Sequence, residues 1–413
     1  MAYRSLWFLI LPLLLAGCAT GQHESSVDLN STPQPEMAAP AAPPTAQKAI
    51  IATVPIAPPP TNQLTNQPAP PAHAEAWVQL DHWCQTRGYV EFRRTTTASS
   101  YNYSFASTNA GLSGTMVVTI GSQIASWRGM IFHLGFAPVF FNGHPFVHSL
   151  DVRKNFLPLL ESPVRTKENP VIVIDPGHGG TDSGAKSVYN GHTEKEYVLD
   201  WAKRLQALLV TNGWTVYLTR TNDTFVPLTN RVAFADLHKA DFFLSLHFNS
   251  VSPDEQAAGL QTYCLTPEGM PSNETRGFKD DWSLVFPNNQ FDTENIQYAA
   301  RLHRAMLKVN GHLDRGVQRA RFIRVVREQE CPAVLMEGGF LSNEREARRI
   351  ADPAYRQRIA EALAEGLMEE MGQHDVITNE PMAETTPATN HAAAETNSPV
   401  EHEKTNHHRG GTE

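Results

Sequence analysis

Between Pro170 and about Met371, short apolar runs alternate with stretches whose apolar residues recur at helical spacing. Val171-Ile172-Val173-Ile174 is a continuous β-branched run, the pattern of a strand covered on both faces. From Glu194 to Asn212, the residues Val198, Ala202, Leu205, Leu208 and Leu209 share one helical face, and Gly213 suits the position just past the last turn. Trp214 to Leu218, Phe242 to Leu246 and Leu260 to Leu265 read as further strands. Ile296, Ala299, Leu302, Met306 and Val309 form a second helical stripe, and Ala333 to Met336 is another buried strand. Asp352-Pro353 supplies a cap and a first-turn proline for a last helix. Strands alternating with helices predict an α/β domain over residues 170–371, its sheet mixed and mostly parallel, with flanking helices.

Ahead of it, residues 77–163 have a different rhythm. Trp77, Leu80 and Trp83 open a helix, and alternating runs such as Thr115 to Ile120, broken by glycine, follow as short strands. Leu134-Gly135, Pro138, Gly143, Pro145, Val147 and Asp151 punctuate the rest. This predicts a small α+β accessory domain, without a cluster of acids, histidines or cysteines that could carry chemistry.

Two flanks lack the apolar content to fold. Residues 19–76 are rich in Pro, Ala, Gln and Thr, with Pro58-Pro59-Pro60 as an example, and predict an extended tether. Residues 375–413 turn to Thr, Asn, Ala, Glu and His and predict a disordered tail, in which His408 and its neighbours could at most bind metal weakly. Residues 1–18 are a leader: Arg4 is the positive end, Leu6 to Leu15 the apolar run, and Leu15-Ala16-Gly17-Cys18 follows at once. Leu-Ala-Gly-Cys resembles the bacterial lipoprotein cleavage box, which implies export and acylation of Cys18. A lipid anchor facing the periplasm follows, with the outer membrane favoured over the inner.

Charge narrows the partners. With 34 Lys and Arg against 43 Asp and Glu, the chain offers no footprint for nucleic acid. Beyond Cys18 only Cys84, Cys264 and Cys331 remain, an odd number at scattered spacing that suits small apolar residues better than a disulfide framework.

The candidate chemistry sits where buried strands end, as catalytic groups do in open α/β sheets. His178 lies in Asp175-Pro176-Gly177-His178-Gly179-Gly180, where glycines let the backbone crowd a centre. His247 follows the strand of Ser245-Leu246-His247-Phe248-Asn249, and Glu194 opens a helix in Thr193-Glu194-Lys195-Glu196. Each alone has an ordinary structural explanation: a satisfied histidine, or an acid complementing a helix dipole. Together His178, Glu194 and His247 make the three-ligand set of a catalytic zinc site with a fourth position left for water. Glu337, beyond the strand at Met336, is placed to move a proton, or else is a buried acid paired with Arg319 or Arg324.

The blocks Asp175-Pro-Gly-His-Gly-Gly180, Glu194-Lys195, Ser245-Leu-His-Phe-Asn249, Pro332-Ala-Val-Leu-Met-Glu337 and Gly339-Phe-Leu-Ser-Asn343 resemble the zinc-dependent N-acetylmuramoyl-L-alanine amidases of family 3. That resemblance implies a phosphorylase/hydrolase-like zinc amidase fold, one zinc on His178, Glu194 and His247, and Glu337 as catalytic acid and base. It implies cleavage of peptidoglycan between the lactyl group of N-acetylmuramic acid and L-alanine, for wall remodelling or cell separation. Asn249 and Arg319 are its candidate substrate contacts, although Arg319 and Arg321 could equally be surface arginines without function. Residues 77–163 resemble the copper amine oxidase-like N-terminal domain found beside some wall hydrolases, which implies no copper and leaves open a binding or a structural role. The polar insertion at 266–293, with Glu268, Glu274, Asp280, Asp281 and Trp282, reads either as a lid opened by a protein activator or as a passive wall of the substrate groove. His192 lies close to Glu194 in sequence, but the motif assigns the ligand role to Glu194. A different zinc peptidase of the wall, or a silent wall-binding protein, are the rival readings; the second predicts loss of a ligand or of Glu337, and all are present.

Overall fold

Two Asn-Gly-like turns set the N-terminal topology of the computed structural model, which describes residues 76–369 apart from 98–99, 110–111, 162–166, 252–255 and 312. The leader with Cys18, the tether 19–76 except its final residue, and the tail 375–413 lie outside the described residues. The chain begins with β1 (Trp77–Gln79), α1 (Leu80–Thr86), β2 (Val90–Thr96), β3 (Tyr101–Ser107), β4 (Gly114–Thr119), β5 (Ile124–Trp127) and β6 (Met130–His133). It continues through β7 (Val139–Phe141), β8 (His144–His148), α2 (Ser149–Asp151), a π-helical stretch Val152–Phe156 and α3 (Leu157–Glu161). The β5–β6 and β7–β8 hairpins turn on Arg128-Gly129 and Asn142-Gly143, all with positive φ, the backbone that matches strand twist. In β4 the alternation is the expected one, with Met116 and Val118 buried. Asp151 is buried and accepts hydrogen bonds from Gly135 N, Phe136 N and Asn155 Nδ2, so it pins the Leu134-Gly135 bend.

The second half contributes β9 (Val171–Pro176), α4 (Glu194–Thr211), β10 (Thr215–Leu218), α5 (Leu228–Leu237), β11 (Phe242–Asn249) and β12 (Leu260–Cys264). After a 3-10 turn come α6 (Asp292–Asn310), β13 (Asp314–Arg319), α7 (Arg324–Arg327), β14 (Ala333–Phe340), α8 (Glu344–Ala351) and α9 (Pro353–Met368). The sheet is mixed and flanked by helices, as expected: β10, β9, β11 and β14 are parallel, β12 is antiparallel to β14, and β13 is parallel to β12. Gly213 takes φ 83° after the last turn of α4, and Asp352 caps α9 by accepting from Ala354 N. Cys84, Cys264 and Cys331 are buried free thiols.

Two elements differ from the sequence pattern. Strands β11 and β14 run past Leu246 and Met336, so His247 and Glu337 lie inside strands and not after them. Arg319 ends a strand that the apolar pattern does not announce, β13, whose sequence Asp-Arg-Gly-Val-Gln-Arg carries no apolar run. Its polar groups are tied instead, Asp314 to His303 Nε2 at 2.9 Å and Arg319 to buried carbonyls.

The 77–163 and 170–371 segments share one sheet of eleven strands, in the order β10-β9-β11-β14-β12-β13-β6-β5-β4-β3-β2. The junction is β6 beside β13, where Phe132 faces Val317 and Ile131 N donates to Asp314 Oδ2 at 2.7 Å. Phe132 and Phe156 join Leu302 and Met306 of α6 in the same apolar cluster. Arg319 bolts this junction: Nη1 donates to Leu265 O at 3.0 Å, and Nη2 to Lys154 O at 2.7 Å and Asn155 Oδ1 at 3.0 Å. Among the described residues no helix is long and apolar enough to cross a membrane.

Replacing Arg319 by alanine strands these three acceptors in a buried site, and should cost about 2–4 kcal/mol of stability, since each orphaned buried group costs about 1–3 kcal/mol. Urea unfolding monitored by fluorescence measures this; a loss within error of zero contradicts the bolt.

Candidate active site

The His178 loop is held by its carbonyls. Arg220 donates from Nε to Pro176 O at 2.9 Å and from Nη2 to Gly177 O at 2.8 Å. Arg231 donates from Nη1 to Pro176 O at 3.0 Å and from Nη2 to His178 O at 2.8 Å. Both arginines are buried, and Asp175 supplies a counter-charge, accepting from Arg231 Nη1 at 2.5 Å, Thr219 Oγ1 at 2.5 Å and Ser245 Oγ at 2.9 Å. This network over-determines a strained turn in which His178 itself adopts φ 60°, a left-handed conformation that non-glycine residues seldom take. Gly177 leaves room for the opposite ring: a Cβ there would stand 2.1 Å from His247 Cε1.

Glu194 is the first residue of α4, whose start is fixed by Thr193 N and Oγ1 donating to Glu196 Oε1 at 3.3 and 2.8 Å. Its carboxylate is buried and addresses both imidazoles, with Oε2 3.1 Å from His178 Nε2 and Oε1 2.9 Å from His247 Nδ1. Ala185 N and Phe248 N donate to the same two oxygens at 2.9 and 3.1 Å. Gly184 completes the cradle, since a Cβ there would lie 2.5 Å from Glu194 Oε2 and 2.6 Å from His178 Cδ2. Burial opposes the Glu194 charge, but the bonds from His178 and His247 outweigh it and hold the carboxyl well below its usual range. Burial likewise lowers the His178 pKa, while Glu194 and Asp182 raise it further, to about 9.

One donor atom from each of His178, Glu194 and His247 lies within 4.8 Å of the other two. His178 turns its remaining nitrogen, Nδ1, to Asp182 Oδ1 at 2.9 Å, the carboxylate–histidine arrangement that orients ligands in metal sites. Two imidazoles, a carboxylate, an outer acid and glycines that keep the centre clear fit a divalent ion of the zinc type.

Glu337 faces this cluster from the neighbouring strand, paired in register with His247. Burial pushes its carboxyl up to about 7, with His247 pulling down and Glu194 pushing up. Its Oε2 is buried and has no hydrogen-bond partner among the described residues. Neither arginine considered as its ion-pair partner serves: Arg319 is the junction bolt, and Arg324 Nε binds Glu328 at 2.9 and 3.0 Å. His178, Glu194, His247 and Glu337 line one open cavity of about 510 Å³.

Asn249 also lines the cavity, with its carboxamide bonded to Gln261 Oε1 and Ser250 N, both at 2.8 Å. Arg319 does not: it is 1% exposed and turned to the junction, so the substrate contact expected of it is not where the structure puts it. Arg321 is no surface arginine either, being buried and bonded to Pro267 O, Met270 O and Asp280 Oδ1. His192 lies outside the cluster, paired with Glu196. From the insertion, Arg276 reaches the cavity. Sequence reasoning missed Arg220, Arg231, Asp182 and Arg276; Asp175 and Asp182 could have been found as acids flanking a glycine-bounded histidine, whereas the arginines come from distant elements.

The fold and this site define an α/β protein of the metallohydrolase type, with a His/Glu/His cluster and a buried glutamate gathered towards one edge of the sheet. The sequence profile of the N-acetylmuramoyl-L-alanine amidase family matches residues 172–369, and the chain belongs to that family. AmiA of Escherichia coli is 35% identical over 219 residues, covering 48% of this chain and 75% of that protein. AmiA of Salmonella typhimurium is 34% identical over 225 residues, covering 49% of this chain and 77% of that one. Among solved structures, the catalytic domain of CwlV from Bacillus (Paenibacillus) polymyxa is 32% identical over 48% of this chain and 96% of its own, with a TM-score of 0.40.

Two predictions follow from these contacts. Asp175 is depressed below the usual carboxylate range, burial opposing its charge and Arg231 overcoming that. Its contribution to stability is therefore present above an unfolded pKa of about 4 and lost as pH falls through the lower folded value. Asp175→Asn should flatten that acid limb and cost about 3–5 kcal/mol at pH 7, the range for breaking a buried pair; urea midpoints across a pH series measure both. Asp182→Asn should weaken divalent-ion affinity about 10–100-fold by loosening His178, read by competition with a chromophoric chelator.

Proposed function

We propose that the chain hydrolyses the amide between the lactyl group of N-acetylmuramic acid and L-alanine in peptidoglycan, with one zinc ion held by His178, Glu194 and His247. The observation that carries this reading is the partnerless Glu337 oxygen in the same cavity as the His/Glu/His cluster. When bound there, zinc supplies a Lewis acid that acidifies water and polarises an amide carbonyl. Glu337 takes the proton of the attacking water and delivers it to the departing nitrogen of L-alanine. A carboxyl raised by burial towards 7 suits both halves of that transfer, and a nearby cation pulls it back towards the charged, proton-accepting form. Asp182 keeps the His178 ring in the orientation that presents Nε2, while Gly177 and Gly184 keep side chains out of the centre. The wall enters as substrate because the family is one of wall amidases, and wall remodelling or cell separation is the work this supports.

The leader ending at Cys18 supports export and lipid anchoring in the periplasm, with 77–163 as an accessory module of the copper amine oxidase-like N-terminal type. The insertion is best taken as a fixed wall of the groove: Met270 is buried beside Gly135, and Asn273 Nδ2 donates to Leu134 O at 2.8 Å.

Purified wall incubated with the chain should yield peptides beginning with L-alanine, identified by mass. A chelator should abolish this and zinc restore it, and Glu337→Ala should lower turnover about 10²–10⁴-fold, the span of general acid–base catalysis. Release of single terminal amino acids would instead make the chain a carboxypeptidase, and turnover unaffected by both the chelator and Glu337→Ala would leave the reading without a mechanism.

A further inference from the structure

Arg276 stands in the insertion between β12 and α6, on a tight turn closed by Phe278 N donating to Thr275 O at 2.8 Å. The two central residues have positive φ, 45° at Arg276 and 80° at Gly277. Left-handed backbone is strained for a residue with a Cβ, so the turn alone would favour glycine at both places. The arginine is explained by its head group and not by its backbone.

That head is oriented from one side. Its centre lies 5.1 Å from the Phe322 ring centroid and 5.8 Å from that of Tyr263, and Nε donates to Glu274 Oε1 at 2.7 Å. Glu274 in turn accepts from the Tyr263 hydroxyl. Among the described residues no hydrogen bond engages either Nη, and the side chain is 43% exposed in the cavity that contains Glu337. A plane fixed by rings and an acid, with its forked donors left over, matches the two oxygens of a carboxylate. Arg324, also at the cavity, lacks such an aromatic support among the described residues and is bonded to Glu328 within its own helical turn.

The occupant follows from substrate chemistry, and so rests on the amidase reading above. The glycan side of the scissile bond offers hydroxyls and N-acetyl groups, and its lactyl carboxyl is already committed to the amide. Free carboxylates occur on the peptide side. We infer that Arg276 is a specificity-determining residue that grips the first free carboxylate of the stem peptide, on the leaving-group side of the bond that is cut.

The test compares two synthetic N-acetylmuramoyl peptides, identical except that the α-carboxylate of the second residue is free in one and a carboxamide in the other. The wild-type chain with zinc should prefer the acid in kcat/KM by about 10–100-fold, as loss of a charge-assisted pair implies. Arg276→Gly, which suits the turn, should erase that preference mainly through KM on the acid, lowering kcat/KM far more on the acid than on the carboxamide peptide, and Arg276→Lys should retain part of it. Equal loss on both substrates, with a shifted pH profile of kcat, would make Arg276 only a counter-charge to Glu337 and overturn the inference. Equal wild-type cleavage of both would also overturn it, leaving the amidase reading intact; cleavage of neither would sink both.

Discussion

A buried carboxylate that must serve two imidazoles at once is the constraint around which this active site is built. Glu194 is 4% exposed, and a charge so far from water is tolerable only when its oxygens are fully occupied by donors or a cation. Here each oxygen meets one histidine and one backbone N–H. Those four partners come from the loop after β9, the 184–185 turn and the end of β11. Fixing Glu194 therefore fixes the relative placement of three chain segments, and the close approach explains why positions 177 and 184 admit no side chain. The same crowding raises the Glu337 carboxyl, because the negative charge on Glu194 adds to the burial that keeps it protonated more readily than a surface glutamate.

The accessory segment enters through mechanics. Its last strand in the shared sheet, β6, abuts β13, and Arg319 ties its helical end to the floor beneath the insertion. The insertion then rests on that segment at Met270 and Asn273 while holding Arg276 over the cavity. A wall of the groove is thus supported by residues that carry no chemistry. This gives 77–163 a structural contribution to the site whether or not it also binds wall.

Much of the arrangement was legible in the sequence, for identifiable reasons. The β-branched run at 171–174 and the stripe along α4 announce their burial through period alone, and Glu194 could be placed at a helix start because that stripe begins directly after it. His178, His247 and Glu337 were legible because each stands next to an apolar run, even though the strands extend through His247 and Glu337. The junction was not. Strand β13 is polar, and its burial depends on Asp314 finding His303 and Arg319 finding carbonyls on another segment, pairings that no local pattern encodes. Helices α5 and α7 escaped notice as well; α7 is only a single turn, and α5 matters chiefly through Arg231.

Arginine is where local reading fails most completely, and the reason is physical. The guanidinium is charged in every environment, so its role depends on which acceptors the fold delivers to its five donors. Arg220, Arg231, Arg319 and Arg321 are surrounded by carbonyl oxygens and carboxylates, and each becomes an internal brace. Arg276 carries the same head group, but the fold presents it with two rings, one acid at Nε and an open cavity. The insertion that reads as undifferentiated polar loop in one dimension therefore contains both kinds of contact: Asp280 anchors it to Arg321, and the turn four residues earlier holds a cation at the cavity that Glu337 and the His/Glu/His cluster line. Rigid attachment is what makes the second useful, since a donor fork on a free loop would lose in ordering what it gained in contact.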